Sequence, residues 1–346
     1  MDYKARNTIK KLKGYFLNLI LIWGAFLIYK FNDYYREFIM AETKTAILYL
    51  TLSYTILALP FYLISPYEKL KDSKGLLVFR AIKKIALGTT RYLANIRSSY
   101  KSFPKIEHQE KTAILFIFVK LFFLPLMLNF FFSNLNNVIA NKEIITNFFS
   151  LFSVESFNYT LFPFLLSLIF MIDTLYFAFG YIFEANFLKN KVRSVEPTII
   201  GWAVALVCYP PFNTAFNSSV GWYANEYITF ESETAIFALR SFLLLLLLVY
   251  LSASLALGTR CSNLTNRGIA TKGPYAIIRH PAYISKNLFW WITIIPIISW
   301  PAVLSASVWS FVYYIRAITE ERHLIKDPDY QEYCKKVKYR FIPFVY

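Results

Sequence analysis

Cysteine is scarce in this 346-residue chain: Cys208, Cys261 and Cys334 are the only three, and none lies near another. That excludes a disulfide-stapled scaffold. Histidine is equally scarce, and His108, His280 and His323, with no cysteine pair beside them, make a poor ligand set, so no metal site is expected. Charge is thin, at 17% of residues, and only 21 side chains are acidic. A chain so short of polar surface cannot cover a soluble globule, and its wealth of aromatics excludes a disordered one. Internal repeats and low-complexity tracts are also missing.

What fills the chain is apolar. Hydrophobic residues make up 57% of it, with 34 Phe, 26 Tyr and 7 Trp, against roughly 45–50% apolar residues in soluble domains. A helix crossing the bilayer needs about 20 mostly apolar residues. Runs of that kind lie at Tyr15–Phe31, Ala46–Ile64, Ala113–Ser133, Thr160–Phe183, Thr198–Phe212, Ala235–Gly258, Ala282–Trp300 and Ala302–Ile318. The expectation is an all-α polytopic integral membrane protein of about eight transmembrane helices. The fifth run is short and ends at Pro210-Pro211, so it also reads as a half-helix that leaves on the side it entered.

Charge sets the orientation. With the N-terminus inside, the segments 1–14, 66–112, 186–197, 259–286 and 319–346 carry 30 of the 37 Lys and Arg, whereas the outer loop 213–234 carries none. This positive-inside asymmetry predicts a multi-pass protein with both termini cytoplasmic. The first apolar run has no small-residue cleavage site after it and reads as an uncleaved anchor. The net charge of +16 follows the membrane topology rather than one soluble module, so anionic lipids are the expected partners and nucleic acid is not. Within the basic interfacial loop 66–112, Val78, Ile82, Ile85, Tyr92, Leu93 and Ile96 recur at helical spacing among Arg80, Lys83, Lys84, Arg91 and Arg97. That pattern predicts an amphipathic helix on anionic headgroups; a solvated basic loop is the alternative. Lys120, Asp173 and Arg240 fall in or near apolar runs, and an Asp173–Arg240 interhelical pair is expected to offset their cost.

The chemistry concentrates in two cytoplasmic stretches that bracket the last helical hairpin. The first contains Gly273, Pro274, Tyr275, Arg279, His280, Pro281 and Tyr283. Pro281 suits the first position of a helix, which would place Arg279 and His280 at an N-terminus able to hold an anion. The second contains Glu320, Glu321 and Leu324, then Tyr330 and Tyr333. If the hairpin helices are antiparallel and of similar length, the two glutamates return to the depth of Arg279 and His280 and close a cytoplasmic cofactor pocket.

This Gly-Pro-Tyr-x3-Arg-His-Pro-x-Tyr string, followed by Glu-Glu-x-x-Leu and a Tyr-x-x-Tyr tail, resembles the isoprenylcysteine carboxyl methyltransferase and phospholipid methyltransferase group of membrane enzymes. The resemblance covers residues 258–346 and leaves 1–257 as an N-terminal transmembrane region. It implies S-adenosylmethionine as cofactor and a lipid or isoprenylated acceptor entering from the bilayer. On the same resemblance Tyr275, His280, Pro281, Tyr283 and Glu321 are cofactor-binding, and Arg279 and Glu320 are catalytic. A carboxylate acceptor needs only an Arg to hold it; an amine acceptor needs a base, for which His280, Glu320 and Glu321 are available. Lys286 and Asn287 stand where the familiar members usually have Gly soon after the Tyr, which leaves the acceptor open. The tail at 338–346 is similar to that of the NADPH-dependent sterol reductases, the alternative enzyme reading. A membrane transporter or scaffold is the non-enzymatic one.

Overall fold

The computed structural model of the chain describes residues 3–94, 105–141, 153–227 and 230–345. Helices dominate. In chain order they are α1 (Tyr3–Phe31), α2 (Asp33–Phe38), α3 (Ala41–Ile64), α4 (Tyr67–Leu70), α5 (Lys74–Ala94), α6 (His108–Ala140), α7 (Val154–Ile182, with a π turn at Phe157–Leu161) and α8 (Ile199–Leu206). There follow α9 (Phe212–Val220), α10 (Glu233–Leu257), α11 (Pro281–Thr293), α12 (Trp300–Leu324) and α13 (Pro328–Lys336).

Among the described residues six of these, α1, α3, α6, α7, α10 and α12, are long and apolar enough to cross a membrane. Two of the eight apolar runs fold into shorter helices. The run at Thr198–Phe212 keeps eight helical residues, about 12 Å of axis, and the run at Ala282–Trp300 keeps 13, about 20 Å, against a hydrocarbon core of about 30 Å. Proline explains both. Pro210 and Pro211 prevent α8 from continuing, and Pro296 turns the chain after α11 into the 3-10 segment Ile295–Ile297.

The chain divides into two compact units, residues 1–129 and 130–346. In the first, Asn18 of α1 accepts a hydrogen bond from the Gly75 amide (2.9 Å) and donates to the Tyr62 hydroxyl (2.8 Å). That one side chain ties α1, α3 and α5 together, and interhelical hydrogen bonds of this kind contribute about 1 kcal/mol each in lipid. Helix α5 turns Leu77 and Val78 inward against Ala113 and exposes Ile82 and Ile85 beside Arg80, Lys83 and Lys84. Lys84 is paired with Glu107 (2.8 Å) and Glu110 (2.9 Å). Ile96 and Arg97 lie outside the described residues.

In the second unit α7, α10 and α11 share a core of Phe162, Leu166, Ile169, Leu243, Leu247 and Phe289. The expected Asp173–Arg240 pair does not form. Asp173 accepts hydrogen bonds from Tyr250 (2.8 Å) and Ser254 (2.5 Å), both on α10. Arg240 donates to the Asn158 carbonyl and lies over the rings of Tyr159 and Phe162. The separation is one of depth: Tyr250 and Ser254 lie 10 and 14 residues beyond Arg240 on the same helix, about 15–21 Å along its axis.

A two-residue antiparallel ladder, β1 (Ser194–Val195) with β2 (Thr265–Asn266), staples the segment after α7 to the segment after α10. Asn190 reinforces it, donating to the carbonyls of Phe183 (2.9 Å) and Thr259 (3.3 Å) and accepting from the Ala185 amide (2.9 Å).

Candidate active site

The sequence around α11 dictates how its entrance is built. Gly273, at φ +61°, opens the 3-10 turn Gly273–Ala276, a conformation that favours glycine. Pro281 starts α11 with the fixed φ of a first helical residue, and its missing N–H would have been unsatisfied there in any case. His280 therefore sits at the N-cap with its amide free to pair elsewhere.

It pairs with the C-terminal tail. The amides of Arg279 and His280 donate to the carbonyls of Tyr339 and Arg340, both at 2.9 Å. Glu321, on the last turns of α12, gathers the side chains of the same segments: its Oε1 lies 3.0 Å from Arg279 Nε and 3.1 Å from His280 Nε2, and its Oε2 accepts from Arg340 Nε at 2.9 Å. One buried carboxylate thus joins α11, α12 and the tail. The His280 ring stacks on Tyr283 at 5.3 Å, and Phe341 packs on it at 5.4 Å.

Glu320 has a different environment. It is exposed and accepts a hydrogen bond from the Tyr283 hydroxyl at 2.7 Å. It also lines a cavity of about 190 Å³, together with Tyr275, Arg279, His280 and Tyr283. Pro281 and Glu321 are not on the cavity wall. Pro281 sets the start of the helix, and Glu321 holds residues that do reach the wall. Arg279 is held on two sides, since its Nη1 also donates to Cys334 Sγ at 3.2 Å.

The wall also carries cations outside the expected site residues, Arg260, Arg267, Lys286 and Arg316 among them. Arg316 of α12 donates to Asn263 Oδ1 at 2.6 Å and lies 5.3–5.8 Å from the ring centres of Tyr209, Tyr283 and Tyr313. Lys286 of α11 lies 5.9 Å from the Tyr250 ring and 5.4 Å from the Trp290 ring. The spacing of Arg316 four residues before Glu320 puts both on one helix face, a signal legible in the sequence.

The floor beneath the cavity is a polar lock. Asp327 caps α13, accepting from the Asp329 amide (3.0 Å), and also accepts from Asn266 (2.7 Å) and Arg193 (2.9 Å). Burial pushes the Asp327 carboxyl up, but the bonds from Asn266 and Arg193 outweigh it and hold the group below its ordinary value. A carboxyl with a lowered folded value stabilises the fold above its unfolded value, and that contribution disappears as pH falls through the folded one. The melting temperature of the detergent-solubilised protein is therefore expected to fall below about pH 4, with a shallower fall in Asp327→Asn. Equal slopes for the two proteins would remove this role from Asp327. Burial likewise raises the phenols of Tyr330 and Tyr333, whose rings pack under the turn that carries Tyr275. The Tyr333 hydroxyl donates to the Tyr275 carbonyl at 2.7 Å.

Comparison with known proteins adds an independent finding. Residues 235–327 match the family model of the phospholipid methyltransferases, a group that acts by methyl transfer on membrane lipids. Curated proteins yield no match. The matched stretch begins on the first turn of α10 and runs through α11 and α12 to the Asp327 cap. It thus contains Tyr275, Arg279, His280, Tyr283, Lys286, Arg316 and both glutamates, and it omits the tail that is strapped over them. The stretch 235–327 of this multi-pass, helical protein is thus similar to the phospholipid methyltransferases.

Proposed function

We propose that the chain transfers a methyl group from S-adenosylmethionine to a lipid or lipidated acceptor, with the cavity between α10, α11 and α12 opening on the cytoplasmic face and both termini on that side. The observation that carries this reading is the convergence of the Arg279-His280 and Glu320-Glu321 segments on one cavity within the stretch that matches the phospholipid methyltransferase family. Charge supports the orientation, since 30 of the 37 Lys and Arg lie in the segments read as cytoplasmic, of which 259–286 and 319–346 contribute to this mouth. The exposed Ile82 and Ile85 of α5, flanked by Arg80 and Lys83, suit an anionic headgroup layer.

The residues present fit the cofactor. Its adenine, carboxylate and ammonium call for aromatic surface, a cation and a carboxylate, and the wall offers Tyr275 and Tyr283, Arg279, and Glu320. When bound, S-adenosylmethionine supplies an electrophilic methyl on a sulfonium that loses its charge as the methyl leaves. Glu320 would take the ammonium and Arg279 the carboxylate or the acceptor. His280 and Glu321 act as positioning residues, and Pro281 fixes the start of the helix. What the protein contributes is placement in a water-poor site, which supplies most of what an in-line displacement requires.

Thermal-shift titration of the detergent-purified chain tests this. S-adenosylhomocysteine at about 100 times its Kd is expected to add roughly 2.7 kcal/mol to the stability of the fold, whereas NADPH has no effect. A shift with NADPH and none with S-adenosylhomocysteine would favour the reductase reading. No response to either would favour the non-enzymatic one.

A further inference from the structure

The acid-base balance inside the cavity is uneven. Lys286 and Arg316 face it from α11 and α12, and neither lies within 4.0 Å of a carboxylate among the described residues. Of the acids nearby, Asp173 is occupied by Tyr250 and Ser254, and Glu196 by Thr198 and Arg322. Arg316 is aimed by a neutral partner, the Asn263 amide oxygen, which orients the guanidinium without cancelling its charge. Aromatic rings flank both cations.

Depth matters here. Lys286 lies six residues into the chain from His280, and Arg316 four residues before Glu320. At the rise of an α-helix, both sit about 6–9 Å further along the bundle than the His280–Glu320 level. They therefore occupy the end of the cavity away from the tail strap and towards the interior of the helices. Two cations without a directly paired carboxylate in an aromatic cage are costly, and seating a third positive charge beside them would be costlier still. An anion between them removes both penalties.

We propose that Lys286 and Arg316 form an oxyanion grip that holds the acid group of the acceptor lipid, a carboxylate or a phosphate. This deepens the methyltransferase reading and rests on it for the identity of the bound lipid as acceptor. The two cations are binding and orienting residues; the methyl-accepting atom belongs to the lipid.

The test is calorimetric titration of the full chain in neutral detergent, with S-adenosylhomocysteine in one arm and short-chain lipids in the other. The lipid probes are octanoate, dihexanoyl phosphatidate, dihexanoyl phosphatidylethanolamine and the uncharged dihexanoylglycerol. Binding of the anionic probes but not of dihexanoylglycerol is expected, and the tighter of octanoate and the phosphate lipids identifies which acid the grip serves. Lys286→Met and Arg316→Gln are each expected to weaken the preferred probe at least about tenfold, and Lys286→Arg to retain it. S-adenosylhomocysteine affinity should stay within about threefold of wild type in the Lys286 variants, since the ring cage and not the charge shapes the wall. If Arg316→Gln loses the nucleoside as well, its fold has changed and the Lys286→Met and Lys286→Arg pair decides alone. Equal binding of charged and uncharged probes, or tight anion binding that survives Lys286→Met, overturns the grip. Failure of S-adenosylhomocysteine to bind wild type instead overturns the methyltransferase reading and leaves the grip to stand or fall on the lipid arm.

Discussion

Replacing Glu321 by Gln is expected to lower the stability of the protein by about 3 kcal/mol, while Glu320→Gln stays within about 0.5 kcal/mol of wild type. The two glutamates are neighbours in sequence and opposites in the structure. Glu321 is buried and serves Arg279, His280 and Arg340 at 2.9–3.1 Å. Neutralising it takes from Arg279 and Arg340 the carboxylate they share, and breaking a buried pair of that kind costs about 3–5 kcal/mol. The Arg340 side chain is 29% exposed, so solvent screens part of the loss and the lower end of that range applies. Glu320 is exposed and among the described residues holds the Tyr283 hydroxyl, and water replaces that bond readily. The ligand readout should reverse the order of directness. Glu320→Gln is expected to weaken S-adenosylhomocysteine about tenfold with an unchanged melt, because its carboxylate, unlike that of Glu321, is on the cavity wall. Glu321→Gln should weaken it only together with the melt, by releasing the strap between residues 279–280 and 339–340. Melting curves and titrations on the two variants decide it. Equal midpoints for both would show that the cluster around Glu321 is not a structural anchor.

How much of this was legible in the sequence depends on how local each signal is. The Gly273 turn, the Pro281 start and the glutamates of α12 are readable because each depends on a few consecutive residues. Hydropathy located the six long apolar helices of the described residues, but it weighs apolar side chains and is blind to prolines that interrupt the backbone, as at Pro210, Pro211 and Pro296. Asp173 and Arg240 were rightly recognised as ions in need of partners. Their partners could not be named, because depth along a helix fixes reach and a run of leucines carries no depth marker. The strap on Arg279 and His280 is made by backbone carbonyls of Tyr339 and Arg340, and no side-chain type advertises such a bond. Lys286 was visible as a departure from the familiar pattern, yet only packing reveals that it faces the cavity.

Gly180 gives the second large effect, and Gly24 supplies its control. Gly180→Ala is expected to destabilise the protein by about 3 kcal/mol, whereas Gly24→Ala should cost nothing and add up to about 1 kcal/mol through helix propensity. Gly180 lies on the last turns of α7, where a Cβ would fall far inside contact distance of the Cys261 carbonyl oxygen and 3.4 Å from that of Thr259. Both obstacles are backbone, and neither is free to retreat. The Thr259 carbonyl accepts from Asn190, the Cys261 thiol donates to the Ser254 carbonyl, and the Asn263 amide donates to the Tyr181 hydroxyl at 2.7 Å. Relief must come from moving α7 away from the turn after α10, which breaks several of these bonds together. At Gly24 in α1 there is nothing within 4 Å of the added methyl. The same substitution thus has opposite expected signs at two helical positions, and thermal melts in a single detergent compare them directly. The displacement has a consequence for binding as well. Asn263, two residues beyond Cys261, orients Arg316, so Gly180→Ala should weaken anionic lipid even in the fraction that remains folded. If Gly180→Ala melts with wild type, α7 and the turn at 258–262 are not packed backbone to backbone, and the positioning of Arg316 through Asn263 loses its basis.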